Sequence, residues 1–93
     1  MTPVADDAFQ AVQFELIADA EPGILMRLLA PFARRDLVPD RVKTGRHGAL
    51  IEASLAVDEM PSGMIHLVEN NLRQIVGVRS LTVVFAKATQ RVA

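Results

Sequence analysis

Apolar and polar residues alternate along the first strongly patterned stretch of the chain. The apolar residues stand at every second position, at Val12, Phe14, Leu16 and Ala18. Polar side chains, Gln13 and Glu15, separate the first three of them. A period of two residues is typical of a strand with one buried face. We therefore predict a first strand at Val12–Ala18.

After the turn-forming residues Glu21, Pro22 and Gly23, the apolar residues have the spacing of a helix. Apolar residues then recur at three- and four-residue intervals, at Ile24, Leu25, Leu28, Leu29 and Phe32. Pro22 suits a first helical position, where no N–H is needed, and helix 1 is predicted to run to about Arg35. Pro31 removes a backbone hydrogen bond inside this helix, so we expect a kink or an early end near Ala30.

The middle of the chain predicts a hairpin of two unequal strands. The first, Val38–Arg46, is polar, and we expect Val42 to be its main buried residue. Pro39 places it at a sheet edge, because proline cannot donate a hydrogen bond to a central ladder. A turn over residues 45–48 then leads into the more apolar strand Ala49–Val57, which suits a central position.

The last third predicts a second helix and a final strand. Helix 2 is expected at Pro61–Val76, with Gly77 as its stop, and strand 4 at Val78–Ala88. We assign residues 1–10 to a flexible arm, residues 11–89 to a single domain and residues 90–93 to a tail.

The order β-α-β-β-α-β predicts an α+β, ferredoxin-like sandwich. In that fold a four-stranded antiparallel sheet has strands 1 and 3 in the centre and both helices on one face. The opposite face would carry a mixed set of residues: Gln13, Glu15, Ile17, Leu50, Glu52, Ser54, Thr82 and Val84. Two interpretations of that face remain open, a solvated surface and a partner surface.

The length and composition of the chain disfavour several classes of function. The chain has 93 residues, a net charge of −1 and no cysteine. One small domain follows from the length, and the balanced charge disfavours nucleic acid and membrane partners. Without cysteine there are no disulfides, thiolate metal sites or thiol nucleophiles, and the chain shows no signal-peptide start. A cytoplasmic protein with no cofactor and no metal is the expectation.

The residue types present argue against the RNA-binding, copper-binding and catalytic proteins that share this fold. RNA recognition needs exposed aromatic side chains on the central strands, where Gln13 and Glu15 stand instead. A copper chaperone needs a cysteine pair, and the segment 20–24 lacks the basic phosphate-binding character of an acylphosphatase loop. His47 and His66 are expected to face solvent. We predict no catalytic residue and keep a small hydrolase only as the remaining enzyme alternative.

Two motifs carry a resemblance to a known family. The run FELIADAEPGILMRLLAPFARR, Phe14 to Arg35, resembles the ACT domain, and most closely that of the short small regulatory subunit of acetolactate synthase. A second run, LRQIVGV at Leu72–Val78, is similar to the family's passage from helix 2 into strand 4. The similarity spans Val12–Val84. The residues at matching places in the first motif are Glu21, Pro22, Gly23, Leu25, Arg27, Phe32 and Arg35.

The resemblance implies a dimeric module that binds an amino-acid effector near the turn between strand 1 and helix 1. The implied binding residues are Asp19, Ala20, Glu21, Gly23, Ile24 and Leu25. The N–H groups of Gly23, Ile24 and Leu25 would meet a ligand carboxylate, and Asp19 or Glu21 its ammonium group. The alternative is that these residues only shape the turn and start the helix.

The resemblance also implies a partner. A non-catalytic subunit would bind and modulate a catalytic large subunit in branched-chain amino-acid biosynthesis. The alternative is a free-standing ACT-type dimer that senses an amino acid and acts on another enzyme. The chain departs from the family pattern at Ala20, where an asparagine is common, and at Asp36, where a glycine often follows helix 1.

Overall fold

The computed structural model describes residues 8–85. The elements are β1 (Phe9–Asp19), α1 (Ile24–Ala33), β2 (Arg41–His47), β3 (Leu50–Pro61), a 3₁₀ turn (Ser62–Met64), α2 (Ile65–Arg73) and β4 (Val78–Phe85). Residues 9 and 10, which the prediction assigns to the arm, belong to β1. Residues 1–7, the last part of predicted strand 4 and the predicted tail lie outside the described residues.

The four strands form one antiparallel sheet in the order β2-β3-β1-β4. This order confirms the ferredoxin-like fold, with β1 and β3 in the centre and β2 and β4 at the edges. The strand register confirms the predicted open face: Lys43, Ser54, Glu15 and Thr82 stand side by side across the sheet.

The core lies between the sheet and the two helices. Phe14 of β1 and Phe32 of α1 are both fully buried, and their rings meet edge to face with centroids 5.6 Å apart. Leu55 of β3 and Leu72 of α2 belong to the same apolar cluster. Because residues of both helices join the same strand face in this cluster, both helices cover one side of the sheet.

The third strand is longer than predicted and helix 2 is shorter. β3 continues to Pro61, because Met60 and Pro61 pair with Gln10 and Phe9 of β1 beyond a register shift. The shift turns Met60 into the core, where it is fully buried. The acidic residues before it therefore belong to a strand, and α2 begins only at Ile65.

The edge strand β2 also differs from the prediction. It begins at Arg41, two residues after Pro39, and Val42 keeps 44% of its surface exposed. The expectation that Val42 is the main buried residue of this strand was wrong. The helices cover the inner strands and leave the helix-side residues of the outer strand in contact with solvent.

Helix α1 tolerates its proline and ends in a Schellman motif. The helix continues past the buried Pro31 to Ala33, so the early end expected near Ala30 comes three residues later. Leu37 then donates to the carbonyl of Phe32 and Asp36 to that of Ala33. These are the two hydrogen bonds of the motif, whose C′ residue normally has positive φ.

Asp36 occupies this C′ position with φ of 58°. Arg34 and Arg35, predicted in the last helical turn, lie just beyond the helix. Arg35 donates to the amide oxygen of Asn71 at 2.8 Å and so links the end of α1 to α2.

Replacing Asp36 by glycine is expected to raise the free energy of unfolding by about 0.5–1 kcal/mol. An L-residue is strained at positive φ, and its carboxylate also meets the negative end of the helix dipole. Chemical denaturation measures the change. Asp36→Asn is the matched control that removes the charge alone. A glycine variant less stable than the wild type would contradict the argument.

Candidate functional site

The turn between β1 and α1 is a type II β-turn. Ile24 donates its N–H to the carbonyl of Glu21 at 3.0 Å, and Gly23 has φ 83° and ψ −2°. Proline at the second position and glycine at the third are the residues that this turn prefers. Pro22 therefore precedes the helix instead of opening it, and the N–H of Ile24 is already bonded. The prediction that it is free for a ligand was wrong.

The neighbouring strands fix the position of this turn. Asp19 donates its backbone N–H to Gly77 at 2.8 Å, at the start of β4. Ala20 donates to Ala49 at 2.8 Å, in the hairpin turn between β2 and β3. Because these two hydrogen bonds hold the end of β1 from both sides, they also fix the position of the turn that follows.

A groove of about 600 Å³ opens beside this turn, between the first residues of α1 and the edge strand β2. Five of the six predicted site residues line it: Ala20, Glu21, Gly23, Ile24 and Leu25. The sixth, Asp19, lies outside the lining, and its carboxylate accepts a hydrogen bond from Arg79 Nε at 2.8 Å. The structure therefore brings most of the predicted site together.

Four further lining residues were not predicted: Pro22, Met26, Arg46 and Ile51. Arg46 and Ile51 reach the groove because they stand opposite each other in the β2–β3 register. A two-residue turn sets that register, with Gly48 at φ 62°. The prediction of a four-residue turn over residues 45–48 put Arg46 inside the turn, whereas the structure places Arg46 in β2 and leaves only Gly48 and Ala49 in the turn.

Cationic and anionic groups stand at the borders of the groove. Arg46 donates from Nε to the carbonyl of Gly48 at 2.9 Å. Glu21 accepts from Arg27 at 3.2 Å in a pair whose side chains are 49% and 41% exposed. Pairs this exposed contribute little stability, so a ligand can compete with them.

The helix start adds donors that no carbonyl of the helix accepts. The first hydrogen bond within the helix runs from Arg27 to Gly23, and no side chain caps the helix. The N–H groups of Leu25 and Met26 therefore have no partner inside the helix. Together with Arg46, they give a mainly apolar groove the means to hold a small carboxylate.

Other titratable residues lie away from the groove or on the open sheet face. His47 and His66 have side chains 67% and 88% exposed, which confirms that both face solvent. Arg41 donates to Asp58 at 2.9 Å on the open face, and this hydrogen bond lowers the pKa of the Asp58 carboxyl and raises that of the guanidinium. Within residues 8–85 there is no cluster of acidic or histidine side chains that could hold a metal ion.

Comparisons with known proteins agree on the architecture. A family model described as an ACT-like domain matches residues 5–91. The crystal structure of the ACT domain from GTP pyrophosphokinase of Chlorobium tepidum superposes with a TM-score of 0.70 at 9% sequence identity, over 82% of this chain and 99% of that one. The solution NMR structure of the same domain gives 0.68 at 9% identity, over 82% and 86%.

At 9% identity these structures establish the shared fold alone. No curated protein matches the sequence. Neither α-helix of the described segment is long and apolar enough to cross a bilayer.

Proposed function

Because this chain belongs to the family of ACT-like domains, which are generally non-catalytic regulatory modules, we propose that it senses a small amino acid in the groove beside the β1–α1 turn. The observation that carries the proposal is the groove itself. Its apolar lining lies between a guanidinium, Arg46, and a carboxylate, Glu21. An amino acid with an aliphatic side chain has the complementary groups.

The volume of the groove fits this ligand class. Sites for small molecules are commonly about 300–1,000 Å³, mostly apolar, with a few placed polar groups. Leu25 and Ile51 supply apolar contacts for the side chain of the ligand. Ala20 offers no side-chain amide, so the ligand carboxylate would depend on Arg46 and the unbonded backbone N–H groups.

Calorimetric titration with branched-chain and other amino acids tests the sensing role. We expect saturable binding of at least one aliphatic amino acid, and about tenfold weaker binding by Arg46→Gln, because a charge-assisted hydrogen bond is lost. Arg34→Gln is the matched control, since Arg34 is exposed and outside the groove. No binding by any amino acid would overturn the proposal.

We further propose that the regulated partner is the catalytic large subunit of acetolactate synthase. The support is the resemblance of the Phe14–Arg35 and Leu72–Val78 motifs to the short small subunits of that enzyme. The chain would bind the large subunit and raise its activity. Co-purification followed by an activity assay tests this. If the chain neither bound the large subunit nor activated it, the result would favour the alternative, an amino-acid-sensing dimer that acts on another enzyme.

We also propose that two copies of the chain pair and that the protein is cytoplasmic. ACT domains commonly dimerise, and this sheet has two edges on which a further strand could pair. Light scattering at micromolar concentration should give the mass of a dimer, and a monomer would contradict this part of the proposal.

A further inference from the structure

The edge strand β4 has a sequence that favours pairing with a further strand. Residues 80–85 carry no charge, no proline and no glycine, and three of them, Thr82, Val83 and Val84, are β-branched. Val84 and Phe85 keep 43% and 55% of their surface exposed. β4 is the last strand on its side of the sheet within residues 8–85. An uncharged edge of this kind invites pairing between copies unless something closes it.

The ladder between β1 and β4 shows which backbone groups of β4 face outward. The N–H of Asp19 points to β4, because it bonds to the carbonyl of Gly77 at 2.8 Å. Backbone groups of successive strand residues point to alternate sides, so those of Leu16 point to β3. Leu81 stands opposite Leu16 and therefore has no hydrogen bond with it. The N–H and the carbonyl of Leu81 point instead to the free side of β4.

Arg73, the last residue of α2, covers this outward carbonyl. Its Nη2 donates to the oxygen of Leu81 at 3.3 Å and to Glu69 Oε2 at 3.0 Å. Glu69 stands one helical turn earlier and its side chain is only 21% exposed, so it holds the guanidinium over the edge. A strand that added to β4 would need the same carbonyl as an acceptor and would have to displace a charged group.

A β-bulge protects the beginning of the same edge. The register of β4 against β1 shifts by one residue at Arg79. A bulge twists an edge away from regular pairing, and Arg79 adds a second guanidinium to the recess that Arg73 lines. The part of β4 that is open to a further strand is therefore reduced to the residues after Leu81.

We propose that Arg73 is an edge guard: its guanidinium, held by Glu69, closes β4 to strand addition by a second copy of this chain. The dimer proposed above would then pair through another surface. The edge guard does not depend on that dimer, because it acts in the same way on a monomer. Without it, copies or dimers would join through β4 into larger assemblies.

Light scattering of Arg73→Ala tests the edge guard. At matched micromolar concentrations we expect a weight-average mass at least about twice that of the wild type, rising with concentration, because two wild-type assemblies can join through β4. Arg73→Lys keeps a charge beside the edge and should have the wild-type mass. Arg34→Ala removes the same charge at an exposed position outside both α2 and β4, and it should also have the wild-type mass.

A double variant separates strand pairing from misfolding. Val84 is exposed on β4, so a lysine there puts a charge on the strand without filling the core. In Arg73→Ala combined with Val84→Lys, two paired β4 strands would each carry a lysine, and like charges across a strand pair are destabilising. We expect this double variant to return to the wild-type mass. A mass that stays high would show that the copies associate in some other way and would contradict the proposal.

Amide hydrogen exchange, measured residue by residue by NMR, locates the contact. The N–H groups of Val83 and Phe85 point outward like that of Leu81, because they follow it at two-residue steps. We expect both to exchange more slowly as Arg73→Ala is concentrated, and at a constant rate in the wild type. The proposal is overturned if Arg73→Ala keeps the wild-type mass, or if its added mass leaves these two amides unprotected. Protection of the same amides that grows with concentration in the wild type would also overturn it.

Discussion

Replacing Phe14 by alanine is expected to lower the free energy of unfolding by about 3–5 kcal/mol. Phe14 is fully buried in the central strand β1, and its ring meets that of Phe32 edge to face. The variant loses the burial of the ring and leaves a cavity that the surrounding strands cannot close. Because domains of this size are stable by roughly 5–15 kcal/mol, much of the total would be lost. Urea denaturation followed by circular dichroism measures it.

Two further variants keep this prediction testable if the alanine variant does not fold. Phe14→Leu retains most of the volume and should lose about 1.5 kcal/mol or less. Phe85→Ala is the matched control, because Phe85 belongs to the same sheet but is 55% exposed. Its loss should be far smaller. Equal losses at Phe14 and Phe85 would show that the core has been assigned wrongly.

Replacing Gly23 by alanine should destabilise the chain by about 1–2 kcal/mol through the backbone alone. Gly23 has φ 83°, in the left-handed region that L-residues rarely adopt, and no atom beyond its two chain neighbours lies within 4 Å of the added methyl group. The whole effect therefore comes from conformational strain and not from a clash. Relief of the strain would displace the β1–α1 turn, so we also expect weaker amino-acid binding in the groove.

Gly63→Ala is the matched control for Gly23. It also has open space around the added methyl group, but it lies in a 3₁₀ turn and its φ is outside the left-handed range. Alanine there should leave stability unchanged or raise it by up to about 1 kcal/mol, because it restricts the unfolded chain. If both variants lost the same stability, the assignment of a type II turn at Gly23 would fail.

The order of elements could be predicted from local pattern because each element buries one face. Alternation in β1 and helical spacing in α1 report directly which side of the element meets the core. The boundary of β3 could not be predicted in this way. Asp58, Glu59 and Pro61 have the local character of a helix start. Pairing of Met60 and Pro61 with Gln10 and Phe9 of β1 keeps that segment extended.

Part of the candidate site could likewise be predicted from local sequence, and part depends on contacts between distant segments. The residues from Ala20 to Leu25 are contiguous, so a local sequence motif is enough to indicate them. Arg46 and Ile51 come from other strands, and the hairpin register brings them to the groove. The pairing of Asp19 with Arg79 depends likewise on the approach of β4.

The sequence by itself determined the element order, the central position of β1 and β3 and the special turn at Pro22 and Gly23. These features depend on periodicity and on the conformational preferences of single residues, which act locally. Tertiary structure decided which N–H groups and carboxylates are already bonded, how far β3 extends and which side chains complete the groove. Those outcomes depend on distances between segments far apart in the chain, and the packing of the sheet sets those distances.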